Sequence, residues 1–216
     1  MNIASDLEGT LTTGRTWKGV GGYLQANGRG LAYEIFLALR LPGSTLARAG
    51  ILDKQAYGNQ WIVDMAGLLK GLDATQLEQM GEWVVEHVMW PRRRQNVLDE
   101  LDSHRRDGHR IILTSGTYLP VARAFARRIG VQDVIASDLG MANGTASGKV
   151  DGALNVMSAK ADRLRDMLGS EALHSAYGDT ASDTPMLEMC ERPVAVHPDR
   201  RLRQTALARG WRILQT

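Results

Sequence analysis

Asp6 and Glu8 stand two residues apart within the first ten positions and run directly into Gly9-Thr10-Leu11-Thr12. Two carboxyl groups at that spacing, at the end of a short predicted strand over residues 2–5, suit a nucleophile with a proton-handling partner. An acidic turn without chemistry has the same local pattern, so the rest of the chain must separate the two. Three further groups are placed like the first. Thr114-Ser115-Gly116-Thr117 follows the apolar run Ile111-Ile112-Leu113, where a small hydroxyl and backbone N–H groups can hold an anionic oxygen. Lys160 lies near the start of a helix opened by Ser158, and Gly178-Asp179-Thr180-Ala181-Ser182-Asp183 follows Ser175-Ala176-Tyr177. Taken singly, Ser115 serves as a helix cap, Lys160 as a surface lysine, and Asp179 and Asp183 as a cap and a first-turn acid. Their shared position at strand ends and helix starts, in this order, makes a site of them.

The elements that must carry these groups are legible in the hydrophobic pattern. From about residue 108 onward, short apolar runs alternate with helical stretches, the signature of an α/β fold with a parallel sheet covered by helices. The runs 111–113, 134–136, 175–177, 193–196 and 211–214 read as strands, with residues 2–5 as another, weakly hydrophobic one. Pro120 to Ile129 carries Val121, Ala122, Phe125 and Ala126 at helical spacing. Between Leu139 and Gly152 the turn signal Asn143-Gly144 predicts a β-hairpin lying off the main sheet. Residues 15–90 hold four of the five tryptophans and several helical stripes, and read as an all-helical cap inserted into the chain. The catalytic core is then 1–14 with 91–216, and the cap is expected to act as a lid that excludes water and selects substrate.

Composition narrows the class. The 216 residues are 44% hydrophobic and 23% charged, as in an ordinary globular protein. Net charge is +2 with an isoelectric point near 8.8. The clusters Arg92-Arg93-Arg94 and His104 to Arg110 have no interleaved aromatics and flank a predicted helix bearing Val97, Leu98 and Leu101. A solvated face is expected there and no nucleic-acid partner. No window approaches the ~18 apolar residues of a membrane span, and the N-terminus has no basic and then apolar leader, so a cytoplasmic location is expected. Cys190, the single cysteine, is expected to be a small buried hydrophobe.

Asp6-Leu7-Glu8-Gly9-Thr10-Leu11-Thr12, Leu113-Thr114-Ser115-Gly116-Thr117, Lys160 and Gly178-Asp179 with Asp183 resemble the four motifs of the haloacid dehalogenase-like hydrolases. The insert after the first motif and the hairpin before Lys160 are similar to the phosphoserine phosphatase-like branch, as is Pro-Val-Ala-Val-His-Pro-Asp near the end. The resemblance spans nearly the whole chain and implies a Rossmann-like core and a Mg2+-dependent phosphatase for a small phosphorylated metabolite. It implies that Asp6 forms an aspartyl-phosphate and that Glu8 is the general acid and base. Asp6, the carbonyl of Glu8 and Asp179 would bind the metal, with Asp183 in support. Lys160 would neutralise charge, and Ser115 with the N–H of Gly116 would hold a phosphoryl oxygen. Most phosphatases of this family carry Asp where this chain has Glu8. The extra methylene moves the carboxyl by somewhat over about 1 Å, while a metal contact through the carbonyl is indifferent to it. Two other readings stand beside the first: a binding or regulatory protein with weakened turnover, and a phosphotransferase to an alcohol acceptor. Trp17, Tyr23, Trp61 and Trp90 form either lid core or a pocket, and Arg15, Lys18 and Arg29 either reach a substrate anion or are solvated. Substrate identity and oligomeric state are not written in the sequence.

Overall fold

The computed structural model describes residues 1–215. Seven strands form one sheet: β1 (Asn2–Ser5), β2 (Arg110–Tyr118), β3 (Asp133–Ala142), β4 (Thr145–Asp151), β5 (Leu173–Gly178), β6 (Cys190–Val196) and β7 (Arg212–Leu214). Their order is β4-β3-β2-β1-β5-β6-β7, and every pairing is parallel except β3 with β4. The α/β fold expected from the sequence is the one observed. β1 lies between β2 and β5, with Ser5 in register with Leu113 on one side and Tyr177 on the other. Every residue of β1 is buried. That central position explains its weak hydrophobicity: helices cover both faces, and small Ala4 and Ser5 leave them room to approach.

Alternation along the strands feeds two cores. Ile3, Ile111 and Leu113 face the cluster that includes Val97, Leu101, Val121 and Phe125, from α5 (Gln95–Arg106) and α6 (Leu119–Arg128). Ala4, Ile112 and Ala176 face Leu164, Leu168, Met186, Leu202 and Ala206, from α7 (Met157–Leu168), α8 (Thr184–Leu187) and α9 (Arg200–Arg209). The result is a helix, sheet, helix sandwich. Two expectations are corrected. The hairpin does not lie off the sheet; β3 pairs with β2 up to Ser137 and with β4 from Asp138 onward, so the hairpin continues the sheet at its edge. Cys190 is only partly buried, its thiol donating to the Leu187 carbonyl.

After the loop 6–15, the chain up to Arg92 is mainly helical: α1 (Thr16–Ala26), α2 (Gly30–Arg48), α3 (Lys54–Met65) and α4 (Ala74–Val84), with short 3-10 and π turns reaching Arg92. Asp73 caps α4 through a capping box with Gln76. Several contacts join the segment to the sheet domain. The entering and leaving chains pair, Thr13 N–H donating to Arg92 O at 3.0 Å and Arg94 N–H to Leu11 O at 2.7 Å. Gly81 brings α4 against the start of α6, where an added Cβ would stand 2.4 Å from Pro120 O. Gly71 and Leu72 exchange backbone hydrogen bonds with Ala146 of the hairpin, at 2.9 and 2.7 Å. Trp17, Trp61, Trp83 and Trp90 are partly buried against this core, with Trp61 edge-on to Trp17, Phe36 and Tyr57. No helix among the described residues is long and apolar enough to cross a membrane.

Candidate active site

Asp6 follows the last residue of β1, and its N–H still donates to Tyr177 O at 2.9 Å, so its backbone is fixed by the neighbouring strand. Lys160, buried on the first turns of α7, donates to Asp6 Oδ1 at 2.7 Å and to Asp183 Oδ1 at 2.6 Å. The second oxygen of Asp183 accepts the N–H groups of Asp179 at 3.2 Å and Thr180 at 3.1 Å. Asp183 therefore ties the loop after β5 to Lys160. Thr10 completes the cluster: its buried hydroxyl lies 3.1 Å from Asp6 Oδ2 and 3.4 Å from Asp179 Oδ1. Gly9, at φ +101°, passes so close to Asp179 that an added Cβ would lie 1.9 Å from its carboxylate. Only glycine has both the conformation and the space.

Three carboxylates and one ammonium are thus enclosed where the parallel strands end, the usual ligand position in such sheets. One oxygen from each of Asp6, Asp179 and Asp183 lies within 4.8 Å of the others. Burial lifts the Asp6 carboxyl to about 6, with Lys160 opposing and Asp183 adding to the rise. Asp179 is lifted to about 8 by burial and by the charges of Asp6 and Asp183. Burial alone would lower the Lys160 value, but Asp183 and Asp6 override it and hold the ammonium charged. Carboxylates this crowded fit a hard divalent cation, which prefers oxygen donors and would neutralise the excess negative charge.

Glu8 is held by different partners. Its Oε1 accepts the backbone N–H of Thr16 at 3.1 Å and, at shorter range, the Thr16 hydroxyl; Arg15 lies 3.9 Å from Oε2. The Thr16 hydroxyl in turn lies 2.5 Å from that of Thr117. Burial raises the Glu8 value, and the Thr16 hydrogen bond pulls it back.

The sequence-predicted residues fall into three sets. Asp6, Lys160, Asp179 and Asp183 are brought into one hydrogen-bonded cluster. Glu8 stands beside it with its own partners. Ser115 and Gly116 are placed on the adjacent strand, inside β2 and not in a loop after Leu113, because β2 runs on to Tyr118. The Ser115 hydroxyl there accepts the Thr117 N–H at 3.3 Å. This stretch is locked by the fully buried Asn155, whose amide lies 2.9 Å from Thr114 Oγ1 and 3.0 Å from Ser115 O.

Sequence reasoning missed Thr16 and Asn155, and assigned no individual role to Thr10 or Thr117. It also read Arg94 as part of a solvated run. Arg94 donates to Gly9 O at 3.1 Å and so fixes the loop after Asp6, while Arg93 stacks over Trp90 at 4.7 Å. Of the three candidate anion-reaching cations after the first motif, Arg15 points to Glu8. Lys18 lies over the Trp17 ring, and Arg29 donates to Lys70 O.

Phosphoserine phosphatase SerB1 of Mycobacterium tuberculosis is 27% identical over 198 residues, 86% of this chain and 63% of that relative, so the chain spans less than two thirds of it. The histidinol-phosphatase of Neisseria meningitidis is 28% identical over 174 residues, 76% of each protein. A Bordetella pertussis protein described as of unknown function superposes with a TM-score of 0.82 at 25% identity, over 99% of this chain and 97% of that one. Residues 3–188 match the family described as haloacid dehalogenase-like hydrolase, from just ahead of Asp6 to just beyond Asp183, and the chain belongs to that family.

Proposed function

We propose that the chain is a Mg2+-dependent phosphatase that hydrolyses a small phosphomonoester through an aspartyl-phosphate on Asp6. The observation that carries the proposal is the buried contact set of Asp6 with Lys160, Thr10 and the neighbouring carboxylates, at a strand end. Family membership and phosphatase relatives support it.

In the first step an Asp6 oxygen attacks phosphorus and the ester P–O bond breaks, the departing alkoxide taking its proton from Glu8. In the second, Glu8, now ionised, takes a proton from water, which attacks phosphorus and frees phosphate from Asp6. A group that must give and then take a proton works best with its pKa near ambient pH, and burial moves Glu8 in that direction. Lys160 keeps Asp6 ionised and aimed. Asp6, the Glu8 carbonyl and Asp179 would hold Mg2+, with Asp183 in support; a bound cation supplies charge neutralisation and polarises a phosphoryl oxygen. Ser115 Oγ and the Gly116 N–H would receive another phosphoryl oxygen, and residues 15–90 would act as the lid.

The relatives name two different phosphomonoesters, phosphoserine and histidinol phosphate, so the leaving group is an open choice for the lid. The test is phosphate release from phosphoserine, histidinol phosphate and p-nitrophenyl phosphate, with Mg2+ and with EDTA. Release that depends on Mg2+ is expected. No release from any phosphomonoester of a broad panel would overturn the proposal.

A further inference from the structure

Three of the five histidines gather at the opposite end of the sheet, away from the carboxylates. His104 lies near the end of α5, His109 just before β2, and His174 near the start of β5. The sequence pattern grouped His104 and His109 with a solvated basic run, but both are half-buried. Their Nδ1 atoms lie 3.2 Å apart. Behind His104 runs a chain of partners that sets its tautomer. Arg212 holds both oxygens of Glu100, at 2.8 and 2.6 Å. Glu100 accepts the Tyr177 hydroxyl at 3.1 Å, and the Tyr177 oxygen lies 3.0 Å from His104 Nε2. With its own proton directed at Glu100, Tyr177 receives the N–H of His104. Neutral His104 therefore presents a lone pair at Nδ1, facing His109. His174 is next in line, its ring centroid 6.2 Å from that of His109 and its Nδ1 3.0 Å from Glu191 Oε2.

We infer that His104 Nδ1 and His109 Nδ1 form the two fixed ligands of a site for a transition-metal ion of the zinc class, with His174 as the third. Nitrogens bound to one ion at ~2.0–2.1 Å are separated by roughly 2.9–3.4 Å for angles between square and tetrahedral, and the observed 3.2 Å falls in that interval. Metal-binding imidazoles are usually oriented from behind by a carboxylate or another acceptor, as Tyr177 with Glu100 does for His104. His109 carries one ring proton, which it directs from Nδ1 to the His104 lone pair; on metal binding this proton moves through solvent to Nε2 of the same ring, and both Nδ1 atoms are then open to the ion. His174 must turn to complete the set, because among the described residues only Asp6, Asp179 and Asp183 already present three ligand atoms within 4.8 Å. Glu191, its partner, is exposed and leaves it free to do so. A cleft of about 710 Å³ lined by His104, His174, Tyr177, Cys190 and Glu191 gives the ion a path. Imidazole donors select zinc, nickel or copper, while the carboxylate cluster selects magnesium, so the two ends of the sheet would sort metals.

The test is calorimetric titration of tag-free protein with Zn2+ in excess Mg2+, for the wild type and for His104→Gln, His109→Gln and His174→Gln. One Zn2+ per chain is expected, with at least roughly tenfold weaker binding in the first two variants and a smaller loss in the third. Nitrogen-15 histidine spectra provide a readout that does not depend on how well a variant folds. Zn2+ should shift the Nδ1 resonances of His104 and His109 in the wild-type protein. Unchanged isotherms in both His104→Gln and His109→Gln, or histidine resonances that do not respond to Zn2+, would overturn the inference.

Discussion

Asp6 and Glu8, two residues apart in sequence, are positioned by different parts of the molecule. The partners of Asp6 are Lys160 on α7 and Thr10, with Asp179 and Asp183 after β5; all belong to the sheet domain and its adjoining loops. The partner of Glu8 is Thr16, the first residue of α1 and so of the helical insertion. The contacts of Asp6 are thus independent of the insertion, whereas those of Glu8 are coupled to it. A shift of the insertion that moved Thr16 would retune Glu8 and leave Asp6 in place. This also bears on the longer side chain at position 8: its extra reach is taken up by a hydrogen bond to the insertion.

The largest effect expected from breaking this contrast is on the Asp6 side. Asp6→Asn removes the proposed nucleophile with little change in volume and should lower turnover by roughly 10⁴-fold or more, measured as phosphate release from the best substrate. Retained turnover would dismantle the covalent assignment.

Lys160→Met comes next, because it leaves buried carboxylates without their ammonium. Chemical denaturation in EDTA should show a loss of about 3–5 kcal/mol. The loss should also grow with pH. Lys160 opposes the rise of the Asp6 carboxyl, so without it the folded-state value moves above the present level of about 6. A carboxyl raised in the folded state loses stability as pH climbs from the ordinary carboxylate range to that raised value. The variant should therefore suffer more at about pH 8 than at about pH 5. An equal loss at both would mean that Lys160 does not control Asp6.

Thr16→Val probes the other side and should cost less, roughly tenfold in kcat/KM, the worth of one hydrogen bond to a charged group. Its pH profile is the sharper signature. Thr16 pulls the Glu8 value down against burial, so removing the hydroxyl lets it rise. The alkaline limb, where protonated Glu8 is lost, should move to higher pH.

The sheet and the charged cluster were readable because ordered motifs at strand ends mark positions where backbone geometry leaves few choices. Asp6, Lys160, Asp179 and Asp183 needed only their strand ends to meet. Thr10, Thr16 and Thr117 were not readable as a set, since a threonine hydroxyl acts through its direction and threonine types recur throughout loops. Thr16 and Thr117 are also 101 residues apart and meet only when the insertion docks on β2. The extension of β2 to Tyr118 was hidden because Thr114, Ser115 and Gly116 lack the apolar pattern of a strand; partners such as Asn155 and Ser137 hold that stretch extended instead. The histidines looked like surface charge for a related reason. A basic run in sequence says nothing of which rings turn inward to Tyr177.

The division of labour between Asp6 and Glu8 is tested most directly by Glu8→Gln with p-nitrophenyl phosphate, whose leaving group departs without a protonated acid. In this variant the first step should proceed and the second should stall. The expected result is a burst of about one p-nitrophenolate per chain, with a phosphoryl group recovered by peptide mass analysis on the fragment carrying Asp6. A phosphoryl group on any other residue, or steady turnover at the wild-type rate without a burst, would contradict the account.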